Sequence, residues 1–241
     1  MGRIPPCLKE AMKPITLVGG HYGVGKTNFS INLAVDLASE GYMVRLVDLD
    51  IVNPYFRASE ERIMLEEHGI ELVAPVFSEK GTGLDVPSLT GRIIPALEQA
   101  DENAFAIVDV GGDDVGAVAL GRFSRKIEEL GYSFLLVANA YRNLVQDPQD
   151  ALDNLREIEM ASHLRITSIV GNSHLKADTE WQTIDHGYHY ACKVATLANI
   201  PLVGITAPEA LGCAPDATAS QNIPDELLYY VSMYVKTPWE R

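Results

Sequence analysis

The apolar run Ile15-Thr16-Leu17-Val18 passes directly into Gly19-Gly20-His21-Tyr22-Gly23-Val24-Gly25-Lys26-Thr27, and a stretch of helical period follows. A strand that turns through glycines straight into a helix commits the chain to an α/β architecture. From Gly20 to Thr27 the pattern is G-x-x-x-x-G-K-T, and each fixed position has a mechanical reason. Glycines let the backbone curl until successive N–H groups point inward at an anion. The helix opening at Lys26 adds the positive end of its dipole to the same spot. A lysine there reaches the β- and γ-phosphates of a nucleotide, and the following hydroxyl ligates magnesium. Gly20, His21, Tyr22, Gly23, Val24, Gly25, Lys26, Thr27 and Asn28 are therefore the candidate cradle for a nucleoside triphosphate with Mg2+. The plainer alternative is a glycine turn that binds nothing; the strand before it and the helix after it argue against that.

Short runs rich in Val, Ile and Leu recur along the chain, separated by segments of helical period, and this alternation predicts a parallel sheet covered on both faces. Strands are expected at Ile15–Val18, Val44–Val47, Glu71–Ala74, Ala106–Val110, Ser133–Val137, Ser168–Gly171 and Leu202–Ile205. Helices are expected within Lys26–Glu40, Ser59–Glu67, Thr90–Gln99, Gly116–Leu130, Pro148–Ser162, Thr179–Ala198 and Pro224–Val235. Gly41 and Gly69 are stop signals, and Asp147-Pro148 is a start signal. The expected fold is α/β and doubly wound, a mostly parallel sheet of about seven strands in one nucleotide-binding domain spanning residues 1–241.

A length of 241 residues, 47% hydrophobic and 22% charged, suits one such domain. The net charge of −14 argues against general nucleic-acid binding, which depends on a Lys/Arg footprint. Cys7, Cys192 and Cys213 are widely spaced and odd in number, which suits a reducing compartment. No stretch has the apolar length of a membrane span and the start lacks a signal-peptide core, so a cytoplasmic protein is expected.

In open α/β sheets ligands sit at the carboxyl ends of the strands. Two further strand ends are acidic: Asp48-Leu49-Asp50 and Asp109-Val110-Gly111-Gly112-Asp113-Asp114. Asp109, with Asp48 beside it, is the candidate carboxylate for magnesium, and Gly112 can offer its N–H to the γ-phosphate. A capped turn is the bland reading of either end alone.

With these residues together the chain resembles the MinD/ParA/Mrp family of P-loop ATPases, in the SIMIBI class of dimerising nucleotide switches. The resemblance covers nearly the whole chain. It rests on Gly23–Thr27 with Asn32-Leu33-Ala34, on Val47-Asp48-Leu49-Asp50 and on Val108-Asp109 with Gly112. Ile169-Val170-Gly171-Asn172 matches a strand end where the family places an adenine-binding asparagine. The resemblance implies that Asp50 positions or activates the attacking water and that Asn172 selects ATP. The pattern departs at His21-Tyr22, where many members have Lys-Gly and the lysine crosses to the other subunit's phosphates. Histidine is a poorer cation than that lysine. Arg57, in Asn53-Pro54-Tyr55-Phe56-Arg57, is the candidate stabiliser of phosphate charge in its place, with a solvated surface arginine as the plain alternative.

Weaker signals remain. His186, His189 and Cys192 recur at intervals of three in a helical stretch and could form one side of a metal site, although a polar helix face is the simpler reading. The apolar, aromatic segment Leu227–Val235 lacks the basic face of a membrane-surface helix and is expected to pack on the domain as a helix. Gly81–Pro87 reads as a surface loop or a partner-sensing element.

The family analogy implies a MgATP switch ATPase read by a protein partner, for instance a metalloenzyme or corrinoid protein under maturation, with a nucleotide-dependent homodimer as one form. The chain has no C-x-x-C, which weakens an iron–sulfur scaffold role. A small-molecule kinase or ATP-dependent ligase of the dethiobiotin-synthetase type is the alternative enzyme. A nucleotide-gated DNA or membrane positioning scaffold is the non-enzymatic one, disfavoured by the acidic balance.

Overall fold

A computed structural model of the chain describes residues 3–49, 61–74, 90–112, 114–212 and 223–235. A short helix, α1 (Pro6–Ala11), precedes β1 (Ile15–Gly19), which feeds through the glycine loop into α2 (Lys26–Ser39). Then come β2 (Met43–Asp48), α3 (Arg62–Glu67), β3 (Glu71–Val73), α4 (Thr90–Glu98) and β4 (Ala104–Asp109). The second half holds α5 (Asp114–Gly121), α6 (Ser124–Leu130), β5 (Ser133–Ala138), α7 (Pro148–Ser162), β6 (Ser168–Gly171), α8 (Trp181–Ala198), β7 (Leu202–Pro208) and β8 (Leu228–Val231).

The strands form one open sheet in the order β3-β2-β4-β1-β5-β6-β7-β8, and every neighbouring pair is parallel. The expected doubly wound α/β sheet is found, and among the described residues it has eight parallel strands where about seven were expected. Both sheet faces are covered, so inner strands such as β4 and β5 are buried along their whole length. Val18 packs on one face with Phe29 and Leu33 of α2, while Ile15 and Leu17 pack on the other with Ile127, Leu155 and Val194. β1 lies between β4 and β5, so the loop that leaves its carboxyl end is flanked by the loops that leave those two strands.

Two expectations about secondary structure need correction. The segment expected as a last helix is a strand: β8 pairs with β7 from Ile205↔Leu228 to Pro208↔Val231. Its side chains alternate in burial, with Tyr229 and Val231 inside, and Tyr229 meets Phe29 edge-on at 6.0 Å. A short apolar run of aromatic and β-branched residues fits either period, and the open edge of β7 decided for the strand. The single helix expected over Gly116–Leu130 is two, α5 and α6. At the break a Cβ on Gly121 would lie 2.9 Å from the Ala161 carbonyl oxygen of α7, an approach only glycine permits. The helix expected within Thr179–Ala198 is found there as α8, opening at Trp181 where Glu180 and Thr183 form a capping box.

Candidate functional site

The glycine loop is shaped by what surrounds it. Gly25 sits at φ 94°, in the left-handed region, immediately before α2. A Cβ there would lie 2.3 Å from Asn172 Nδ2, so the position excludes a side chain on two counts. Asn172, just past β6 and 5% exposed, donates from Nδ2 to the Val24 carbonyl at 2.7 Å and accepts from the Thr206 hydroxyl. The end of β6 thus braces the loop through a satisfied, buried amide.

On the other flank the loop meets β4. Thr27 Oγ1 donates to Asp109 Oδ2 at 2.7 Å, and Ser30 Oγ, one turn further along α2, donates to Asp109 Oδ1 at 3.3 Å. Asp48 stands in register with Asp109 on the adjacent strand, and both carboxylates are buried. Lys26 is buried as well and donates from Nζ to the His21 carbonyl at 3.1 Å. A Cβ on Gly112 would lie 2.7 Å from Lys26 Nζ and 2.8 Å from Tyr22 N, so this backbone reaches the loop only as glycine. One hydroxyl and two carboxylates, all hard oxygen donors, meet beside a lysine and a curled backbone; that donor set fits magnesium with a polyphosphate.

The remaining sequence candidates fall into three groups. His21 is part-exposed, with Nδ1 at 3.2 Å from the Tyr22 carbonyl oxygen, and Tyr22 is 51% exposed at the rim. Asn28 turns away from the loop: its Nδ2 donates to the Ser232 carbonyl at 3.0 Å, and its Oδ1 accepts from Tyr234 N at 2.9 Å. That leaves only its backbone for a nucleotide. Asp50, Arg57 and the segment Gly81–Pro87 lie outside the described residues. The described residues contain no cluster of three metal-ligating side chains, and within α8 His186 faces Tyr141 while His189 Nε2 lies 3.7 Å from Asp185 Oδ2.

Sequence reading does not single out Ser30, Arg142, His174 or Thr206. Ser30 was within reach of it, because three residues after Thr27 is the same helix face. The other three stand in or after β5, β6 and β7, and only the strand order brings them to the loop. Arg142 approaches Gly23, where an added Cβ would lie 3.9 Å from its Nε. His174 approaches Gly25 in the same way, at 3.5 Å from Nε2. Its Nδ1 lies 3.3 Å from the Lys176 N–H. Burial first, then the charges of Arg142 and Lys176, hold the His174 pKa down to about 4.

A family model described as the CobQ/CobB/MinD/ParA nucleotide binding domain matches residues 15–184. An iron-sulfur cluster carrier protein of Pseudomonas fragi is 25% identical over 93% of this chain and 85% of its own length. Among solved structures, chloroplast FtsY of Physcomitrella patens is similar at TM-score 0.52 and 16% identity, covering 79% of this chain and 58% of its own. FtsY of Mycoplasma mycoides aligns at TM-score 0.51 and 18% identity, over 79% of this chain and 59% of that one. The signal recognition particle 54 kDa protein of Aeropyrum pernix, in complex with GDP, gives 0.51 and 20% over 78% and 40%. The chain spans less than two thirds of the length of each of these solved structures, which share its fold.

Proposed function

Because the chain belongs to the CobQ/CobB/MinD/ParA nucleotide-binding domain family, we propose that it is a cytoplasmic, MgATP-dependent switch ATPase whose slow hydrolysis drives a conformational or dimerisation change read by a protein partner. The observation that carries this reading is the 2.7 Å bond from Thr27 Oγ1 to Asp109 Oδ2. It ties the helix that opens at the phosphate loop to a buried carboxylate at the end of the neighbouring strand. A triphosphate exchanged there changes the contacts of both elements at once.

Thr27 and Asp109, with Asp48 in register behind them, would hold magnesium, which would supply charge neutralisation on the phosphates. The backbone N–H groups from His21 to Thr27 cradle the phosphates, and Lys26 leaves the His21 carbonyl to meet them. Gly112 brings its N–H to the γ-phosphate side, Asp50 orients the attacking water, and Arg57 stabilises developing charge. In this reading Asn172, whose amide braces the loop at Val24, selects ATP over GTP.

The partner is a metalloenzyme or corrinoid protein under maturation, a reading supported by the relative named an iron-sulfur cluster carrier protein. With no C-x-x-C in the chain, a cluster held between copies through paired cysteines does not suit it. The test is size-exclusion chromatography with light scattering on wild type and Asp50→Ala, with ADP and with ATP plus magnesium, while phosphate release is followed. An ATP-only dimer that accumulates in Asp50→Ala is the expected result. An unchanged monomer without turnover would favour an acceptor-dependent enzyme of the dethiobiotin-synthetase type instead.

A further inference from the structure

A polyphosphate carries several negative charges, and the loop itself offers one lysine, Lys26, in a site that also holds the buried carboxylates of Asp48 and Asp109 and in a chain of net charge −14. The loop leaves β1 between two neighbours, and Lys26 sits against the β4 side, at Gly112. On the β5 side the group that reaches the loop is Arg142, beside Gly23.

Arg142 is held there by a tightly bonded turn. Its N–H donates to the Asn139 carbonyl at 3.3 Å, and its carbonyl accepts from Val145 N at 3.3 Å. Ala140 N donates to Ser173 Oγ at 3.0 Å, Asn139 Oδ1 accepts from Tyr141 N at 2.9 Å, and the Tyr190 hydroxyl donates to the Val145 carbonyl. Within this turn Leu144 takes φ 70° and is 79% exposed, a backbone conformation that leucine rarely adopts. Strain of that kind persists where the surroundings over-determine it, and it clusters at functional sites.

Among the described residues none takes up the Arg142 guanidinium in a hydrogen bond or ion pair. Arg142 Nε is buried, yet among the described residues it has no hydrogen-bond partner and no carboxylate within ion-pair distance. A buried arginine donor without an acceptor is costly, and an anionic ligand resolves the cost. His174 beside it offers no countercharge.

We propose that Arg142 is a phosphate-binding residue of this site, its guanidinium donating to the nucleotide's polyphosphate on the flank of the loop opposite Gly112. The proposal rests on the reading of the site as one for nucleotides. It gives the loop a cation from its own chain where His21-Tyr22 has none to send to a second copy. Arginine suits the task because its planar fork meets two phosphate oxygens at once.

The test is titration of full-length wild type, R142A, R142Q and R142K with a fluorescent ADP analogue, displaced by ATP with magnesium. Loss of a charge-assisted contact is expected to weaken both nucleotides about tenfold or more in R142A and R142Q. R142K, which keeps the charge but not the fork, is expected to recover only part of that loss, and the nucleotide-free variants to melt no lower than wild type. Equal affinity in R142A and wild type overturns the proposal, as does a loss of affinity that comes with a lowered thermal midpoint in the nucleotide-free variants, which would make the residue structural. If wild type binds neither ADP nor ATP, the nucleotide reading falls with it; if wild type binds and the variants match it, the role of Arg142 alone falls.

Discussion

The Tyr229 hydroxyl of β8 donates to Asp36 Oδ2 of α2 at 2.7 Å, inside the core. Asp36 Oδ1 lies 3.5 Å from an Arg3 guanidinium nitrogen, and burial raises the pKa of both Asp36 and Tyr229. A strand at one edge of the sheet is thereby tied to the helix that starts at the phosphate loop. Asn28 and Asn32 of the same helix add bonds to the backbone of Ser232.

Tyr229→Phe removes the donor and leaves a buried carboxylate with one fewer partner. The expected loss of unfolding free energy is about 1–3 kcal/mol. Urea unfolding of the nucleotide-free protein measures it, and an unchanged midpoint would show that the bond contributes nothing net.

Asp109→Asn keeps the shape but halves the anionic pair beside Thr27. Magnesium-dependent phosphate release should fall by about 100-fold or more, while magnesium-free nucleotide binding stays near wild type. A magnesium titration of phosphate release in the two proteins checks this; equal activity would remove Asp109 from the metal site.

Asn172→Ala strips the brace from Val24 and leaves the Thr206 hydroxyl with only a long 3.4 Å bond to the Gly171 carbonyl. Stability should drop by about 1–3 kcal/mol, and competition between ATP and GTP should lose its preference for ATP. Thr206→Val is the control, losing the buried bond but keeping the preference. If Asn172→Ala still prefers ATP to the same degree, the residue is a brace only.

His174 gives the protein an acid sensitivity whose sign follows from its depressed pKa. The unfolded chain takes up the proton near the ordinary value of 6.5, whereas the folded chain resists until about 4. Between those values the unfolded state binds more protons, so stability falls as pH drops through the window and levels off below it. The largest penalty is roughly 3 kcal/mol. In His174→Asn this component vanishes, so the stability difference from wild type should change by about that amount between pH 7 and pH 4; a constant difference would refute it.

Much of the site lies open in the linear order. Gly20–Thr27 and Asp109 are close to apolar strands whose carboxyl ends must share one edge of a parallel sheet, so their meeting follows from fold class. Ser30 is legible by helix spacing once Thr27 is placed. Arg142 and His174 are not, since nothing in Asn139–Val145 or Ser173–Lys176 resembles a motif. Nor does the sequence announce that the Asn28 side chain, at the end of the loop pattern, bonds to the segment after β8.

What the sequence determines by itself is local: the phosphate loop with its glycines, the alternation of buried strands and helices, and hence a parallel, doubly covered sheet. These are written in short-range periodicity and in backbone freedom at single residues. The tertiary structure decides what depends on neighbours far away in the chain. Leu228–Val231 is a strand because β7 offers an unpaired edge and Phe29 a surface for Tyr229. Arg142 stands beside Gly23 because the order β4-β1-β5 places that turn next to the loop. Hydrogen bonding across a sheet edge and the need to pair a buried charge act through space, and the linear pattern carries no record of either.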